Sequence, residues 1–552
     1  MTIEGIQLSP QQKHLWELMR ADEGGAYQAR CAVRVQGRLD KRALKNAIEQ
    51  VVERHEILRT VFQNVSQASV PVQVIARIAP SLREIDLTRH AAQAQEVETL
   101  FQNLEQPPFA SESPVLLILV ELSETQHVLL ISVAAACADS ATLDNLVREI
   151  SKSYDADLRG VTVSEAPLQY ADISEVFNEL LDSEETETGR SYWQQQDLSS
   201  LQRVRLPFEN DVATTFETSS VAEEIAPDVF EKLDSLATET GTSPAIVLLT
   251  CWQILLQRLT AQTHVITGVN YDGRSYEGLA EALGLFARYT PVQRHVDDTQ
   301  TFASLLLQVE KTAREVEEWQ DYFSPRLSDL EFLPYCFEFE NTRPLLAGAD
   351  VGFAIVKRHT CFDRFRLKLR CSSIDAELQF DRSLCNSADA EVLLGQFNTL
   401  LISALDNPHR PIAELEIMSA RERGRIIVDF NQTQVDYPQD VNLHQLFEAQ
   451  VARTPDTIAV TFNETELSFA TLNAKANQLA HHLQHLGVGP EARVGLYLER
   501  GPEQLITVLG ILKAGGSYVP LDPASPPERL SFIINEARLS ALVTKSTLAS
   551  SV

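Results

Sequence analysis

Asp139 and Ser140 close a run of small residues, Ala134-Ala135-Ala136-Cys137-Ala138, so that one short segment offers a carboxylate, a hydroxyl and a thiol. A carboxylate in such a place can act as a general acid or base, while a hydroxyl or thiol becomes a useful nucleophile only beside a base. Alanine can accept no proton, so the residues ahead of Asp139 supply none. Cys137 in this apolar setting reads as a packed small hydrophobe rather than a nucleophile. Ser140, just ahead of a helical pattern, reads as its N-cap. Of the twelve histidines, those in two other places are candidates for chemistry. His55 and Arg59 lie in Arg54-His55-Glu56-Ile57-Leu58-Arg59-Thr60, at a helix-to-strand passage that suits packing and hydrogen bonding better than catalysis. His481-His482 is the only adjacent histidine pair, has no aspartate at a useful spacing, and fits a solvated helix face.

The elements that would position the 134–140 segment are legible on both sides of it. His127–Val133 is strand-like and a helix-like run begins near Thr142, where Leu143, Leu146, Val147, Ile150 and Tyr154 share one face. The segment therefore lies at a strand-to-helix junction, where side chains can point into a cleft. Val115–Val120 and Val128–Ile131, separated by Ser123-Glu124-Thr125, predict a hairpin of buried strands. Residues 41–63 predict an amphipathic helix leading into a strand. Ala245–Leu259 predicts a strongly apolar helix followed by a strand at His264–Val269. Glu184–Gly189 predicts a solvated loop, and the polar, Pro-containing stretch near 408–441 marks an interdomain linker.

A chain of 552 residues exceeds a single core and predicts two to four domains. Its 44% hydrophobic and 22% charged residues are those of a globular protein. The formal charge is 47 − 77 = −30 with no Lys/Arg-rich block, which argues against nucleic acid and anionic membrane as partners. Seven cysteines are scattered without C-x-x-C spacing, so neither a zinc site nor a disulfide framework is signalled, and a cytoplasmic location is expected. No run approaches 18 apolar residues and the N-terminus has no signal-like core.

Several motifs together resemble the condensation domains of nonribosomal peptide synthetases. Leu8-Ser9-Pro10-Gln11-Gln12-Lys13-His14-Leu15-Trp16 is similar to their opening motif, and Arg54–Thr60 matches their RHxxLRT motif. Tyr170-Ala171-Asp172 resembles a later YxDYA motif. Leu283-Gly284-Leu285-Phe286 resembles GxFVNT, with Ala287-Arg288-Tyr289 where Val-Asn-Thr is usual. At 134–140 the family carries His-His-x-x-x-Asp-Gly. Ala134 and Ala135 fall where the histidines belong, Asp139 matches, and Ser140 replaces the glycine. Two motifs altered together read as a natural subclass rather than an introduced knockout. Beyond the linker, Leu443–Gln450, Arg453–Asp456, Leu467–Asn473 and Leu512–Pro523 resemble the entry and first core motifs of an adenylation domain. Gly515-Gly516-Ser517 belongs to that last motif rather than to a phosphopantetheine attachment site.

The resemblance implies an α/β fold, with two chloramphenicol-acetyltransferase-like lobes in a V plus a partial α/β adenylation subdomain. The expected limits are 1–180 and 181–420 for the lobes, 421–441 for the linker and 442–552 for the truncated subdomain. It implies a structural ion pair between Asp139 and Arg274, a degenerate catalytic motif at Ala134, Ala135, Asp139 and Ser140, and no metal. It implies no covalently bound cofactor. The phosphopantetheine arms would belong to donor and acceptor carrier proteins, with the remainder of a synthetase as further partner. The implied reaction joins a carrier-bound or free acyl or peptidyl thioester to a carrier-bound amino acid, with impaired or base-independent catalysis. The alternative is an inactive pseudo-condensation domain that docks, gates or scaffolds carriers. Met1 a few residues ahead of the first motif implies a donor arriving from elsewhere. The chain's ending before the phosphate-binding loop implies a fragment with no adenylation activity.

Overall fold

In the computed structural model the chain divides into two compact units, Met1–Asp429 and Phe430–Val552. The structure describes residues 5–22, 25–64, 70–104, 113–161, 166–182, 186–202, 204–210, 215–324, 332–340, 346–347 and 351–549.

The first unit is built on two six-stranded mixed sheets. One runs, in spatial order, Leu346–Ala347, Val351–Cys361, Gln28–Gly37, Gln126–Val133, Val115–Ser123, Leu82–Asp86. The expected hairpin is its antiparallel pair 115–123 and 126–133. Strand Gln126–Val133 is buried on both faces because each face has its own core. Leu129, Ile131 and Val133 point into the large cluster that also holds Leu143, Leu146, Val147, Ile150 and Tyr154 of helix Ser140–Leu158. Val128 and Leu130 point the other way, against Phe101 and Leu104. This alternation explains the continuous apolar run, and each such side chain contributes roughly 1.5–3 kcal/mol on burial.

The second sheet is ordered Arg288–His295, His264–Tyr271, Tyr335–Phe339, Leu367–Cys371, Asp375–Asp381, Thr218–Glu224. Helix Pro244–Thr260 buries every residue from Val247 to Gln257 against this half's core, around Trp252. A sheet partner crosses between the halves of the unit. Strand Val351–Cys361 pairs antiparallel with Gln28–Gly37, so the first sheet takes a strand from the second half of the chain.

One local expectation is corrected, and a helix falls at the start of the expected linker. Residues 184–185 lie outside the described residues, but Thr186–Gly189 is helical, opening helix Thr186–Gln194. Thr186 and Gly189 are buried there, which a solvated loop would not require. The 421–441 linker starts inside helix Ala420–Ile427, which belongs to the first unit: its capping box joins Ser419 and Glu422, and Gln396 Nε2 donates to Glu422 Oε1 at 3.0 Å.

The second unit carries a parallel three-stranded sheet, Ser517–Leu521, Arg493–Tyr497, Ala541–Thr544, beside the hairpin Ile458–Phe462 and Thr465–Ser468. Helices Phe469–His485 and Pro502–Lys513 enclose a small core of Ala480, Leu483, Val494 and Ile511. His481 and His482 are exposed on the first of these helices. Among the described residues of the whole chain no helix is long and apolar enough to cross a membrane.

Candidate functional site

Strand Gln126–Val133 ends at Ala134, whose N–H donates to the Pro114 carbonyl at 2.8 Å. A single 3-10 turn, Ala135–Cys137, then reverses the chain into helix Ser140–Leu158. Gln12 Nε2, held by the capping box it forms with Ser9, donates to the Ala136 carbonyl at 2.9 Å. Ala134 to Ala138 are all 4% exposed or less, so the loop that would hold a base is a piece of the core. Burial without an ion partner pushes the Cys137 thiol well above its ordinary range, leaving it a neutral space-filler.

Asp139 is the fixed point of the site. Its carboxylate accepts from Thr142 N at 2.8 Å, Phe286 N at 2.9 Å and Ala287 N at 3.0 Å. Arg274 adds a bidentate pair, Nη1 to Oδ2 and Nη2 to Oδ1, each at 2.9 Å. Burial by itself would raise this carboxyl, but Arg274 and the backbone N–H groups outweigh it and hold the group below the usual carboxylate range. Five donors on one carboxylate leave no acceptor for a reacting proton. Arg274 is buried as well, lying 4.4 Å over the Phe286 ring and donating to Thr142 Oγ1 at 2.8 Å. The structure thus brings Asp139 and Arg274 together and ties the strand-to-helix loop to the Gly284–Ala287 segment.

Ser140 departs from its expected role. Asp139 takes the N-cap, because its carboxylate already accepts from Thr142 N, and Ser140 is the first residue of the helix. Its hydroxyl instead bridges the two sheets, donating to Glu338 Oε1 of the second at 3.2 Å and meeting Thr360 Oγ1 of the first at 2.9 Å. Tyr289 Oη donates to the other Glu338 oxygen at 3.0 Å, and Lys368 Nζ lies 3.4 Å from it while donating to the Thr360 carbonyl at 3.0 Å. Glu338 and Lys368 are each about 1% exposed. Sequence reasoning missed this group, although a charge inside the apolar strand Tyr335-Cys336-Phe337-Glu338-Phe339 is a signal, since buried charges need partners.

His55 and Arg59 serve the scaffold. Arg59 donates to the carbonyls of Val52, Glu53 and Ala76. His55, buried, lies 3.7 Å from Glu149, which also pairs with Arg54 and Lys152.

Three cavities share walls past this loop. One of about 690 Å³ is bordered by Asp144, Glu340 and Arg358. These three also border a smaller one of about 120 Å³ that reaches Asp139, Ser140 and Glu338. Ala287 then closes both the small cavity and a third of about 330 Å³, lined further by Gln11, His14, Tyr289 and Phe362.

Such a pair of mixed sheets, tied together at a strand-to-helix loop with cavities beside it, defines a two-lobed α/β class, and comparison with known proteins specifies it. The condensation domain family model matches residues 3–427, and that of AMP-binding enzymes matches 447–552. The chain belongs to the condensation domain family of nonribosomal peptide synthetases, continued by the N-terminal part of an AMP-binding domain. Gramicidin S synthase 2 of Brevibacillus brevis is 29% identical over 100% of this chain, and Chondramide synthase cmdD of Chondromyces crocatus 31% over 98%. This chain spans only 12% and 14% of those relatives. Among solved structures, a four-domain nonribosomal peptide synthetase bound to AMP and glycine superposes with a TM-score of 0.77 at 21% identity, over 98% of this chain and 43% of that one. The first condensation domain of the calcium-dependent antibiotic synthetase gives 0.67 at 16% identity, over 75% and 99% respectively. The fold class expected from the sequence, α/β with acetyltransferase-like lobes and an adenylation-type continuation, is therefore found.

Proposed function

We propose that residues 3–427 form the condensation domain of a peptide synthetase, joining a thioester donor to a carrier-bound amino acid acceptor without a base from the Ala134–Ser140 loop. The observation that carries this reading is the succession of three cavities sharing walls past Asp139, Ser140 and Ala287. Two substrates entering from opposite ends of such a path meet beside the loop. The phosphopantetheine arms of donor and acceptor carriers are the natural occupants, and the carriers are the proposed partners together with the rest of a synthetase. A catalytic base is worth about 10²–10⁴-fold in rate. Holding two reactants in register supplies effective molarities on the order of 10⁵ M or more, so a site that keeps its path retains most of its advantage. The Asp139–Arg274 pair is assigned a structural role, with residues 442–552 as an adenylation subdomain.

The test is to mix the chain with a donor-loaded and an acceptor-loaded carrier and follow the condensed product by intact-mass spectrometry, beside Ala287→Trp. Product from the unmodified chain and its loss in Ala287→Trp, which fills the wall shared by two cavities, is the expected result. Carrier binding without product would instead favour a docking module, the reading that the apolar burial of Ala134–Ala138 supports.

A further inference from the structure

Of the departures from the family pattern that carry polar atoms, Arg288 pairs with Asp321, while Ser140 and Tyr289, 149 positions apart in the chain by the difference of their residue numbers, both donate to one carboxylate. That carboxylate, Glu338, borders the small cavity together with Ala287 and Asn270. Tyr289 borders the neighbouring larger one, stacked on Phe362 with ring centroids 5.2 Å apart. The phenol–carboxylate bond therefore stands where the two cavities adjoin. From these observations, and resting on the condensation reading above, we propose that Glu338 is the proton acceptor for amide formation in this chain, with Ser140, Tyr289 and Lys368 as its positioning residues.

Of the other groups around the loop, Asp272 accepts from Arg274 N at 3.0 Å and faces solvent, and the rest are engaged or neutral. Asp139 is fully engaged, Cys137 stays neutral, and Asp144 and Glu340 both pair with Arg358. Glu338 is ion-paired as well, with Lys368 at 3.4 Å, but among the described residues it accepts hydrogen bonds only from Ser140 and Tyr289, two of the about four acceptor positions of a carboxylate, and it borders the small cavity. Burial and the adjacent Glu338 carboxylate push the Tyr289 phenol up, so it remains a donor that fixes Glu338 rather than a competing base. Asn270 Oδ1, on the same cavity wall, is buried and has no hydrogen-bond partner among the described residues, a second acceptor suited to an amine N–H.

In the step itself the acceptor amine attacks the thioester carbonyl, the C–N bond forms, and one amine proton passes to the Glu338 carboxylate. Collapse of the tetrahedral intermediate breaks the C–S bond, and the Glu338 carboxylic acid returns that proton to the departing thiolate. Amine and thioester enter, amide and thiol leave, and Glu338 is regenerated.

The experiment uses the whole chain and the same loaded carriers. The double variant Glu338→Gln/Lys368→Met removes the carboxylate together with its buried counter-charge, with thermal unfolding confirming the fold. Product formation should fall by about 10²–10⁴-fold. Adding Ala135→His, which installs an imidazole in the adjacent loop, should restore it, a rescue that a purely structural role for Glu338 does not provide. An unchanged rate in the double variant, or a loss that Ala135→His leaves unrepaired, overturns the assignment while leaving the condensation reading intact. No product from the unmodified chain overturns both. Should the double variant not fold, Ser140→Gly/Tyr289→Phe keeps the charge pair and strips two donors from Glu338. A fall of about tenfold or more is then expected, and an unchanged rate overturns the proposal.

Discussion

Arg274 and Asp139 illustrate how single residues set this site. The guanidinium is a buried charge whose chief counter-charge is a carboxylate that also holds three backbone N–H groups. Truncation to Arg274→Ala strands that carboxylate in the core and should cost about 3–5 kcal/mol, read by urea unfolding. Arg274→Lys should recover only part of this, because an ammonium cannot make the bidentate contact. A loss below about 1 kcal/mol in Arg274→Ala would contradict the anchoring role, since that is the range of an exposed pair. Asp139 and Arg274 can be paired from the amino-acid sequence because the family resemblance implies their ion pair. Glu338 cannot, because Ser140, Tyr289, Thr360 and Lys368 come from four separate segments and carry no shared spacing. Only the charge inside an apolar strand points to it.

At the scale of elements, the loop is placed by a strand, a helix and the turn at Gly284. Gly284 has φ +151°, and a Cβ there would come within 1.9 Å of Tyr170 Cδ2. Tyr170 cannot yield, because its hydroxyl donates to the Leu285 carbonyl at 2.6 Å and also meets Ser9 Oγ at 2.8 Å. Gly284→Ala should therefore destabilise the first unit by about 2–3 kcal/mol or more, and an unfolding midpoint equal to the unmodified chain's would refute this role for the motif glycine. The strand Val351–Cys361 gives a second test. Burial, together with its cross-strand neighbour Arg30 and with Lys368, holds the His359 imidazole well below its ordinary range, against a smaller opposing pull from Glu377. A ring kept neutral in the fold but free to protonate when unfolded contributes in full above pH 6.5, and that contribution is lost as pH falls below it. The slope is at most about 1.4 kcal/mol per pH unit. The stability of the unmodified chain relative to His359→Gln should drop by about 1 kcal/mol between pH 6.5 and 5.5, and a pH-independent difference would contradict the neutral assignment. Periodicity makes the helix Ser140–Leu158 and the 115–133 hairpin legible. The membership of Val351–Cys361 in the first sheet is not, because its pairing with Gln28–Gly37 is a non-local register that no pattern within either strand encodes.

Taken whole, the molecule carries packed alanines at 134–136 beside cavities that share walls. On the proposed reading, positioning along those cavities without a base from the loop sets the rate. The decisive measurement is the single-turnover rate of condensed product at saturating loaded carriers, for the unmodified chain, for Ala135→His and for carriers alone. Product from the unmodified chain is expected clearly above carriers alone, with Ala135→His equal or faster by a margin no larger than about 10²–10⁴-fold. An unmodified chain indistinguishable from carriers alone, with both carriers shown to bind, would contradict it.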